Sequence, residues 1–272
     1  PVSVRYFSGF TGEDSALLVG RRWQRLLTDG RFAEQARLDC PEVKAVIRTG
    51  PMREAVAAAL SGRRVGRLGV EGRHMTLAAR DALKKALRKV RLEALGGEPA
   101  GFREVKSEAE LRAIRKAVRV AEGAFAELTG RGAEAFVGRP EREVAAELDY
   151  LMRLGGASAP SFETIVAAGP HAALPHYRPG STRIRRGRPV LIDWGAKVGG
   201  YCSDLTRVVF LDRIPPQLAE VYQVVLRAQE AGLRACGPGV SGGEVDAAAR
   251  EVVAEAGYGE AFTHGLGHGL GL

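Results

Sequence analysis

Cysteine is scarce in this sequence, and long apolar runs are absent from it. The three cysteines, Cys40, Cys202 and Cys236, form no C-x-x-C pair and cannot all be bonded to one another, which favours a reducing cytoplasm over a disulfide-rich secreted fold. No run approaches the ~18 apolar residues of a membrane-spanning helix. The opening residues, PVSVRYFSGF, lack the basic and apolar regions of a secretory signal. We therefore expect a cytoplasmic protein without a membrane partner.

Aromatic residues are also few, at 6% of the chain, although the net charge is +8 and the pI is about 9.7. Such a positive charge invites the hypothesis of a nucleic-acid partner. The densest basic run comprises Arg183, Arg185, Arg186 and Arg188, and it contains no interleaved aromatic residues that could stack on bases. We expect no nucleic-acid partner and interpret the run as a solvated loop, or as one that attracts acidic substrate termini.

The composition is otherwise that of a globular protein, with 45% hydrophobic and 26% charged residues. Residues 1–104 alternate strand-like and helix-like segments, which predicts an α/β domain. The predicted segments are a hairpin of residues 15–19 and 23–28, a helix from about 32, a strand at 43–47, a helix opened by Pro51, a strand at 65–70, a helix at 76–88 and an apolar stretch at 90–95. A glycine-rich and then charged stretch follows. We therefore place a second domain at residues 105–272.

Two helix pairs are predicted in this second domain. Ser107 and Glu110 form a capping-box pattern for a helix that runs to about Leu128, and Pro140 opens a second helix. GRPEREV at 138–144 and GVSGGEV at 239–245 share Gly, Glu and Val, and each opens an alanine-rich helix. If this is a repeat, two similar halves pack about a pseudo-twofold axis with a shared site between them.

The stretch between the helix pairs, VLIDWGAKVGGYCSDLTRVVF at 190–210, predicts two strands joined by a glycine-containing turn. A turn centred between Val198 and Gly199 would place Asp193 opposite Asp204, with Cβ atoms ~5 Å apart. Apolar neighbours on each side predict burial of both faces. Two buried like charges repel each other and are poorly solvated, so we predict one or two divalent metal ions between them. A longer loop or a bulge would instead separate the carboxylates.

Four of the five histidines lie in two loop-like segments. His171 and His176 follow a strand-like segment, where a histidine is most often simply exposed to solvent. His264 and His268 lie in FTHGLGHGLGL, whose glycines disfavour a helix. In an extended segment this spacing puts both imidazoles on one face, where they would complete a mixed oxygen and nitrogen metal site. The alternative is a flexible glycine-rich tail.

The motifs SFETIVAAG with LPH, LIDWGAKVGGYCSDLTR and HGLGHGLGL resemble, in this order, the signatures of the pita-bread metallopeptidases. This family contains methionine aminopeptidase, aminopeptidase P and prolidase. The segments VRYFSGFTGEDSALLV and LLTDGRFAEQA are similar to the creatinase-type N-terminal domain of the Xaa-Pro peptidases, which methionine aminopeptidases ordinarily lack. The resemblance implies an α/β creatinase-like N-terminal domain and an α+β pita-bread catalytic domain with an internal pseudo-twofold.

The resemblance also implies a two-metal centre. Asp193 and Asp204 would be metal ligands, with Asp204 bridging the ions, His268 would be the nitrogen ligand, and Thr206 would support Asp204 from outside the ligand set. The expected cofactors are two divalent metal ions, Mn or Co in preference to Zn or Fe. In the family, a water that bridges the ions attacks the carbonyl before proline.

Two further histidines take substrate roles under the resemblance. His176 corresponds to the histidine that contacts substrate near the scissile bond, and His264 corresponds to a second active-site histidine beside the pocket for proline. Both can donate hydrogen bonds to the oxyanion or assist the leaving nitrogen. The expected partners are proline-containing peptides and a second copy of the chain in a homodimer.

One departure from the family pattern concerns the ligands beyond GHGLGL. The family supplies another histidine and two glutamates there, whereas this sequence stops at Leu272. We therefore expect a fragment of a longer enzyme; if Leu272 were the native end, metal binding would be weak and peptidase activity negligible. Three alternatives stay open: the choice between aminopeptidase P and prolidase, a metal-free creatinase-like enzyme, and a catalytically inactive pita-bread protein used for binding.

Overall fold

The computed structural model describes residues 2–272. They divide into two compact units, one that extends to Val105 and one from Lys106 to Gly271. Within residues 2–272, no helix combines the length and the apolarity that crossing a membrane requires.

The first unit alternates short helices and strands. In chain order they are α1 (Val2–Ser8), β1 (Ala16–Gly20), β2 (Trp23–Asp29), α2 (Ala33–Asp39), β3 (Ala45–Arg48), α3 (Met52–Leu60), β4 (Arg67–Glu71), α4 (Leu77–Ala86), β5 (Arg91–Leu95) and α5 (Glu98–Gly101). β1 and β2 form an antiparallel hairpin, β3 lies parallel to β2, and β4 pairs in parallel with β5. The predicted α/β N-terminal domain is confirmed, with small differences at the ends of its elements and with two short helices, α1 and α5, that were not predicted.

The second unit has two long helix pairs and two small sheets. In chain order its elements are α6 (Glu108–Gly130), α7 (Glu141–Leu154), β6 (Ala159–Pro160), β7 (Ile165–Ala168), β8 (Pro189–Trp194), β9 (Ala196–Val198), β10 (Tyr201–Cys202), β11 (Leu205–Phe210), α8 (Pro216–Ala235) and α9 (Gly242–Glu255). One antiparallel sheet has the order β7-β8-β11, and the other has the order β6-β9-β10. The strands thus lie between the helix pairs in the sequence, as predicted.

Local capping explains where the helices begin. The Ser107 hydroxyl accepts from the Glu110 amide at the start of α6, and the Glu110 carboxylate accepts from the Ser107 amide at 2.8 Å. Ser241 and Glu244 form the same reciprocal pair at the start of α9. Each box satisfies amides that the first helical turn leaves without a backbone acceptor.

The central strand β8 has one fully buried face and one half-buried face. Its fully buried residues are Val190, Ile192 and Trp194. Trp194 stacks on Phe125 of α6 with the ring centroids 4.4 Å apart, and its Nε1 donates to a carbonyl of the same helix at 2.9 Å. Leu191 and Asp193, on the opposite face, are only half-buried. The expected burial of both faces is therefore wrong, because α6 and α7 cover the face of Val190, Ile192 and Trp194 and the opposite face is covered less completely.

The turn of the aspartate hairpin is centred one residue later than predicted. Gly199 and Gly200 have φ values of +57° and +89°, the pair of positive values that a two-residue type I′ turn requires. Asp193 therefore pairs with Thr206. The prediction that Asp193 lies directly opposite Asp204 is wrong, because moving the turn by one residue moves each cross-strand partner by two. A shift of two preserves the face, so both carboxylates stay on the same side of the sheet.

Candidate metal centre and active site

Asp193 carries the strongest electrostatic signal of the hairpin. Its Oδ1 atom is buried and has no hydrogen-bond partner among residues 2–272. Burial raises the pKa of the Asp193 carboxyl, and the nearby charge of Asp204 raises it further. A hydrogen bond from Thr206 and the charges of His176 and His268 lower that pKa without cancelling the rise. The carboxyl therefore lies where a cation would be stabilising.

Asp204 is held in place by its tightly packed neighbours. A Cβ atom at Gly195 would collide with the carbonyl oxygen of Ser203, so only glycine lets the two strands approach this closely. The fully buried Ser203 hydroxyl accepts from the Ala196 amide at 3.0 Å and donates to the Ala117 carbonyl of α6 at 3.2 Å. The chain before Asp204 is therefore anchored to both β9 and α6.

His268 presents one ring nitrogen to Asp204. Its Nε2 lies 3.3 Å from Asp204 Oδ2, and its Nδ1 lies 3.1 Å from the carbonyl oxygen of Gly269. A carbonyl oxygen only accepts hydrogen bonds, so Nδ1 carries a proton, and Nε2 is the ring nitrogen that faces Asp204. With Nδ1 held in this way, Nε2 is the atom through which the imidazole would bind a metal ion.

The segment that carries His264 and His268 is attached to α9. The Arg250 guanidinium donates to the carbonyls of Phe262 and His264 at 2.7 and 2.8 Å and lies over the Phe262 ring, 4.3 Å from its centroid. The Asp246 carboxylate accepts from Arg250 at 2.9 Å and from the Leu266 amide at 2.7 Å. Hydrogen bonding from Arg250 lowers the pKa of Asp246. We call Asp246 and Arg250 together the α9 clamp.

The loop that carries His176 is attached to α7 through Glu141. This glutamate is fully buried, and four groups of the loop point at its carboxylate. His176 itself is exposed in a turn, and its charge lowers the pKa of Asp193. Sequence reasoning missed Glu141 because an acidic residue in the first turn of a helix is usually a solvated partner of the helix dipole.

The predicted site residues thus come together only in part. Thr206 lies opposite Asp193 and hydrogen-bonds to it rather than supporting Asp204. Asp204, His176 and His268 each act electrostatically on Asp193, whereas no three His, Cys, Asp or Glu side chains in residues 2–272 are grouped so that they could hold a metal ion. The Asp193 carboxylate, whose buried oxygen lacks a partner, and the Asp204 carboxylate with the His268 imidazole 3.3 Å from it nevertheless supply the kinds of oxygen and nitrogen donors that a divalent metal prefers.

The chain is similar to known proteins in its family profiles, in its sequence and in its structure. Residues 112–272 match the profile of metallopeptidase family M24, and residues 1–105 match the Creatinase/Prolidase N-terminal domain. An uncharacterized peptidase of Bacillus subtilis, YqhT, is 34% identical over 99% of this chain and 76% of its own length. The structure is similar to that of an Xaa-Pro dipeptidase from Bacillus anthracis, with a TM-score of 0.94 at 33% identity over 99% of this chain and 75% of that one. It is also similar to an X-Pro aminopeptidase from Thermotoga maritima, with a TM-score of 0.91 at 34% identity over 99% of this chain and 76% of that one.

Proposed function

Because this chain belongs to metallopeptidase family M24, we propose that it contributes the catalytic site of a metal-dependent peptidase that cleaves Xaa-Pro bonds. The observation that carries the proposal is the buried, unpartnered Oδ1 of Asp193 beside Asp204 and His268. A buried carboxylate oxygen without a donor is costly, and a cation offsets that cost. The substrate class is supported by the structural similarity to an Xaa-Pro dipeptidase and an X-Pro aminopeptidase.

The proposed metal ligands in this chain are Asp193, Asp204 and His268. Their two carboxylates and one imidazole suit Mn, Co, Zn or Fe, and Mn or Co stays the preferred prediction. When bound, such an ion polarises the substrate carbonyl and lowers the pKa of a water molecule. The role of Thr206 in this proposal is to orient the Asp193 carboxylate through the hydrogen bond between them.

His176 and His264 are the proposed substrate-binding histidines. Both side chains belong to exposed residues, so a bound peptide could reach them without a prior rearrangement of the core. A ring N–H of either histidine can donate to the oxygen of the scissile carbonyl, and a protonated ring can give its proton to the departing proline nitrogen. The homodimer and the cytoplasmic location stay predictions from the sequence.

Metal-dependent hydrolysis is the direct test of the proposal. The complete protein is stripped with a chelator and assayed with an Xaa-Pro dipeptide and an Xaa-Pro-Xaa tripeptide, with and without Mn²⁺. We expect activity only with the metal; cleavage of the dipeptide alone would indicate a dipeptidase, and cleavage of the tripeptide an aminopeptidase. Activity that persists without any metal would contradict the proposal.

Asp193→Asn tests the metal site independently of turnover. At a Mn²⁺ concentration one hundred times its Kd, the wild-type chain should gain about 2.7 kcal/mol of stability. We expect Asp193→Asn to abolish this gain, whereas the metal-free variant should be at least as stable as the metal-free wild type, because a buried charge has been removed. The matched control is Glu143→Gln on the exposed side of α7. Equal Mn²⁺ stabilisation of wild type and Asp193→Asn would refute the ligand assignment.

A further inference from the structure

Glu141, the first residue of α7, is a fully buried carboxylate that no part of the proposed chemistry uses. Its Oε1 accepts from the Ala168 amide at 2.8 Å and lies 2.9 Å from His171 Nδ1. Its Oε2 accepts from the Tyr177 hydroxyl at 2.6 Å and from the Gly180 amide at 3.2 Å. Burial alone would raise the pKa of Glu141, but these hydrogen bonds outweigh it and hold that pKa below its ordinary value. The side chain is therefore an anion with four protein partners.

These partners lie at both ends of one loop. Ala168 is the last residue of β7, and Gly180 follows the turn that contains His176. A single carboxylate thus closes residues 169–179 into a loop with fixed ends. Backbone bonds of α7 reinforce the closure, since the Glu141 amide donates to the Thr182 carbonyl at 3.0 Å and the Arg142 amide donates to the Gly180 carbonyl at 3.1 Å.

The two rings held by Glu141 also pack on each other. His171 and Tyr177 are stacked with centroids 4.3 Å apart and an interplanar angle of 24°. Gly180 cannot carry a side chain here without crowding, because its Cβ would lie 3.3 Å from the Tyr177 hydroxyl. Tyr177 is the immediate neighbour of His176, so fixing its ring and hydroxyl restricts the backbone from which His176 projects.

The same loop begins at the strand beside Asp193. Ile165 of β7 pairs with Asp193 of β8, and Ala168 ends that strand. We propose that Glu141 is a positioning residue, which clamps both ends of the 169–179 loop so that His176 is held beside the Asp193 carboxylate. The inference rests on the proposed function for the role of His176, and it assigns no contact between Glu141 and substrate or metal.

A pair of variants tests this inference, with a control on the same helix. Glu141→Gln keeps the volume but turns an NH₂ group towards donors, so at least one of the four hydrogen bonds is lost. Tyr177→Phe removes a single hydroxyl and leaves the buried charge paired, which makes it the milder variant. Glu143→Gln changes an exposed carboxylate two residues away on α7 and serves as the control.

Three measurements are made on each variant. Amide hydrogen exchange at Ala168 and Gly180 reports whether these amides are still bonded to residue 141. We expect exchange to be about 10- to 100-fold faster in Glu141→Gln, because hydrogen bonds to a charged group are lost. Imidazole NMR signals of ¹⁵N-labelled histidine report the order of His176 and should broaden or shift. With an Xaa-Pro dipeptide and Mn²⁺, kcat should fall by about 100-fold, the loss associated with a misplaced catalytic group, while Mn²⁺ affinity stays within about twofold.

A double-variant cycle separates positioning from a general loss of structure. In a His176→Ala background, Glu141→Gln should lower kcat no further, because the group it positions is already gone. An equal loss of kcat in both backgrounds would overturn the inference, as would unchanged exchange at Ala168 and Gly180. If the wild type does not cleave Xaa-Pro substrates, the proposed function fails. The exchange rates and the His176 imidazole signals then decide the positioning role without the kinetics.

Discussion

Two segments of the second unit carry histidines to the same carboxylates, and they are held in different ways. Residues 169–179, with His176, are closed by the buried Glu141 of α7, which is 0% exposed. Residues 262–268, with His264 and His268, are held by the α9 clamp, whose Asp246 and Arg250 side chains are 26% and 38% exposed. Both anchors belong to the second helix of their pair, α7 or α9. The two halves of the unit thus hold their histidine segments with anchors that differ in burial.

This difference in depth determines how each anchor responds to solvent. A buried carboxylate with four donors makes strong hydrogen bonds that salt screens little. Removing it leaves buried donors without an acceptor, which costs unfolding free energy. A half-buried guanidinium and carboxylate pair, such as Arg250 with Asp246, is more accessible to salt and water, so it is screened more strongly and costs less to break. The comparison therefore indicates a rigid His176 loop and a more adaptable His264–His268 segment.

Glu141→Ala should destabilise the second unit more than any other variant proposed for the two anchors. The change leaves four donors in a buried space without an acceptor, so we expect the second unit to lose about 3–5 kcal/mol of unfolding free energy. Urea unfolding can be followed by Trp194 fluorescence in a Trp23→Phe background, because these are the two tryptophans of the chain. Glu143→Ala is the control and should change the unfolding free energy by less than about 0.5 kcal/mol. A Glu141→Ala loss as small as that of the control would show that the buried anchor is not structural.

Tyr177→Phe removes one of the four donors and should have a smaller effect. The loss expected from a single hydrogen bond to a charged group is about 1.5–3 kcal/mol. Burial, followed by the hydrogen bond to Glu141, raises the pKa of Tyr177 to about 12 from an ordinary value of 10.0. A raised pKa in the folded state stabilises the fold below the unfolded value and loses that contribution as pH rises through the folded value.

The difference in unfolding free energy between wild type and Tyr177→Phe should therefore be constant up to about pH 10 and shrink as the pH approaches 12. Urea unfolding of both proteins at a series of pH values checks this. Glu141 responds at the acidic end of the pH range. Because its pKa is lowered in the folded state, its contribution to stability is complete above the ordinary value of 4.5 and is lost only as the pH falls below that value. A difference that grew above pH 10 would contradict the assigned bond between Tyr177 and Glu141.

Local features of the fold were predictable from the sequence, whereas contacts between distant residues were not. The capping box of Ser107 and Glu110 was predictable because it needs residues only three positions apart. The hairpin was predictable as two strands, but its register depended on which pair of residues takes positive φ, and Gly199 with Gly200 decided it. A turn between Val198 and Gly199 would have required positive φ at a β-branched residue, and this steric argument was available from the sequence.

Glu141 was beyond reach for a different reason. Its partners Ala168, His171, Tyr177 and Gly180 are between 27 and 39 residues away, and no periodic pattern links them. The proximity of Asp193 and Asp204 was predicted from the hairpin, whereas the assignment of His268 as the nitrogen ligand beside them came from the family resemblance. Side chains that meet only through the packing of a helix on a loop leave no local signal in a single sequence.

Arg250→Ala should have the smallest effect, because it removes part of the less buried anchor, the α9 clamp. Loss of the guanidinium removes its bonds to the Phe262 and His264 carbonyls and its contact with the Phe262 ring. We expect faster amide exchange by a few-fold at Leu266, whose amide is bonded to Asp246, and little change in the urea midpoint of the unit. The matched control is Arg234→Ala, which breaks the equally spaced exposed pair with Glu230 on α8.

Salt should imitate this variant, because ~1 M salt shortens the Debye length to ~3 Å and screens an exposed pair far more than a buried one. In wild type, exchange at Leu266 should therefore rise with NaCl, whereas exchange at Ala168 and Gly180 should not. Equal salt sensitivity at the three amides would mean that the two anchors do not differ in depth as they do in the structure. Salt that accelerates Leu266 alone would establish that the His264–His268 segment can move while the His176 loop stays fixed.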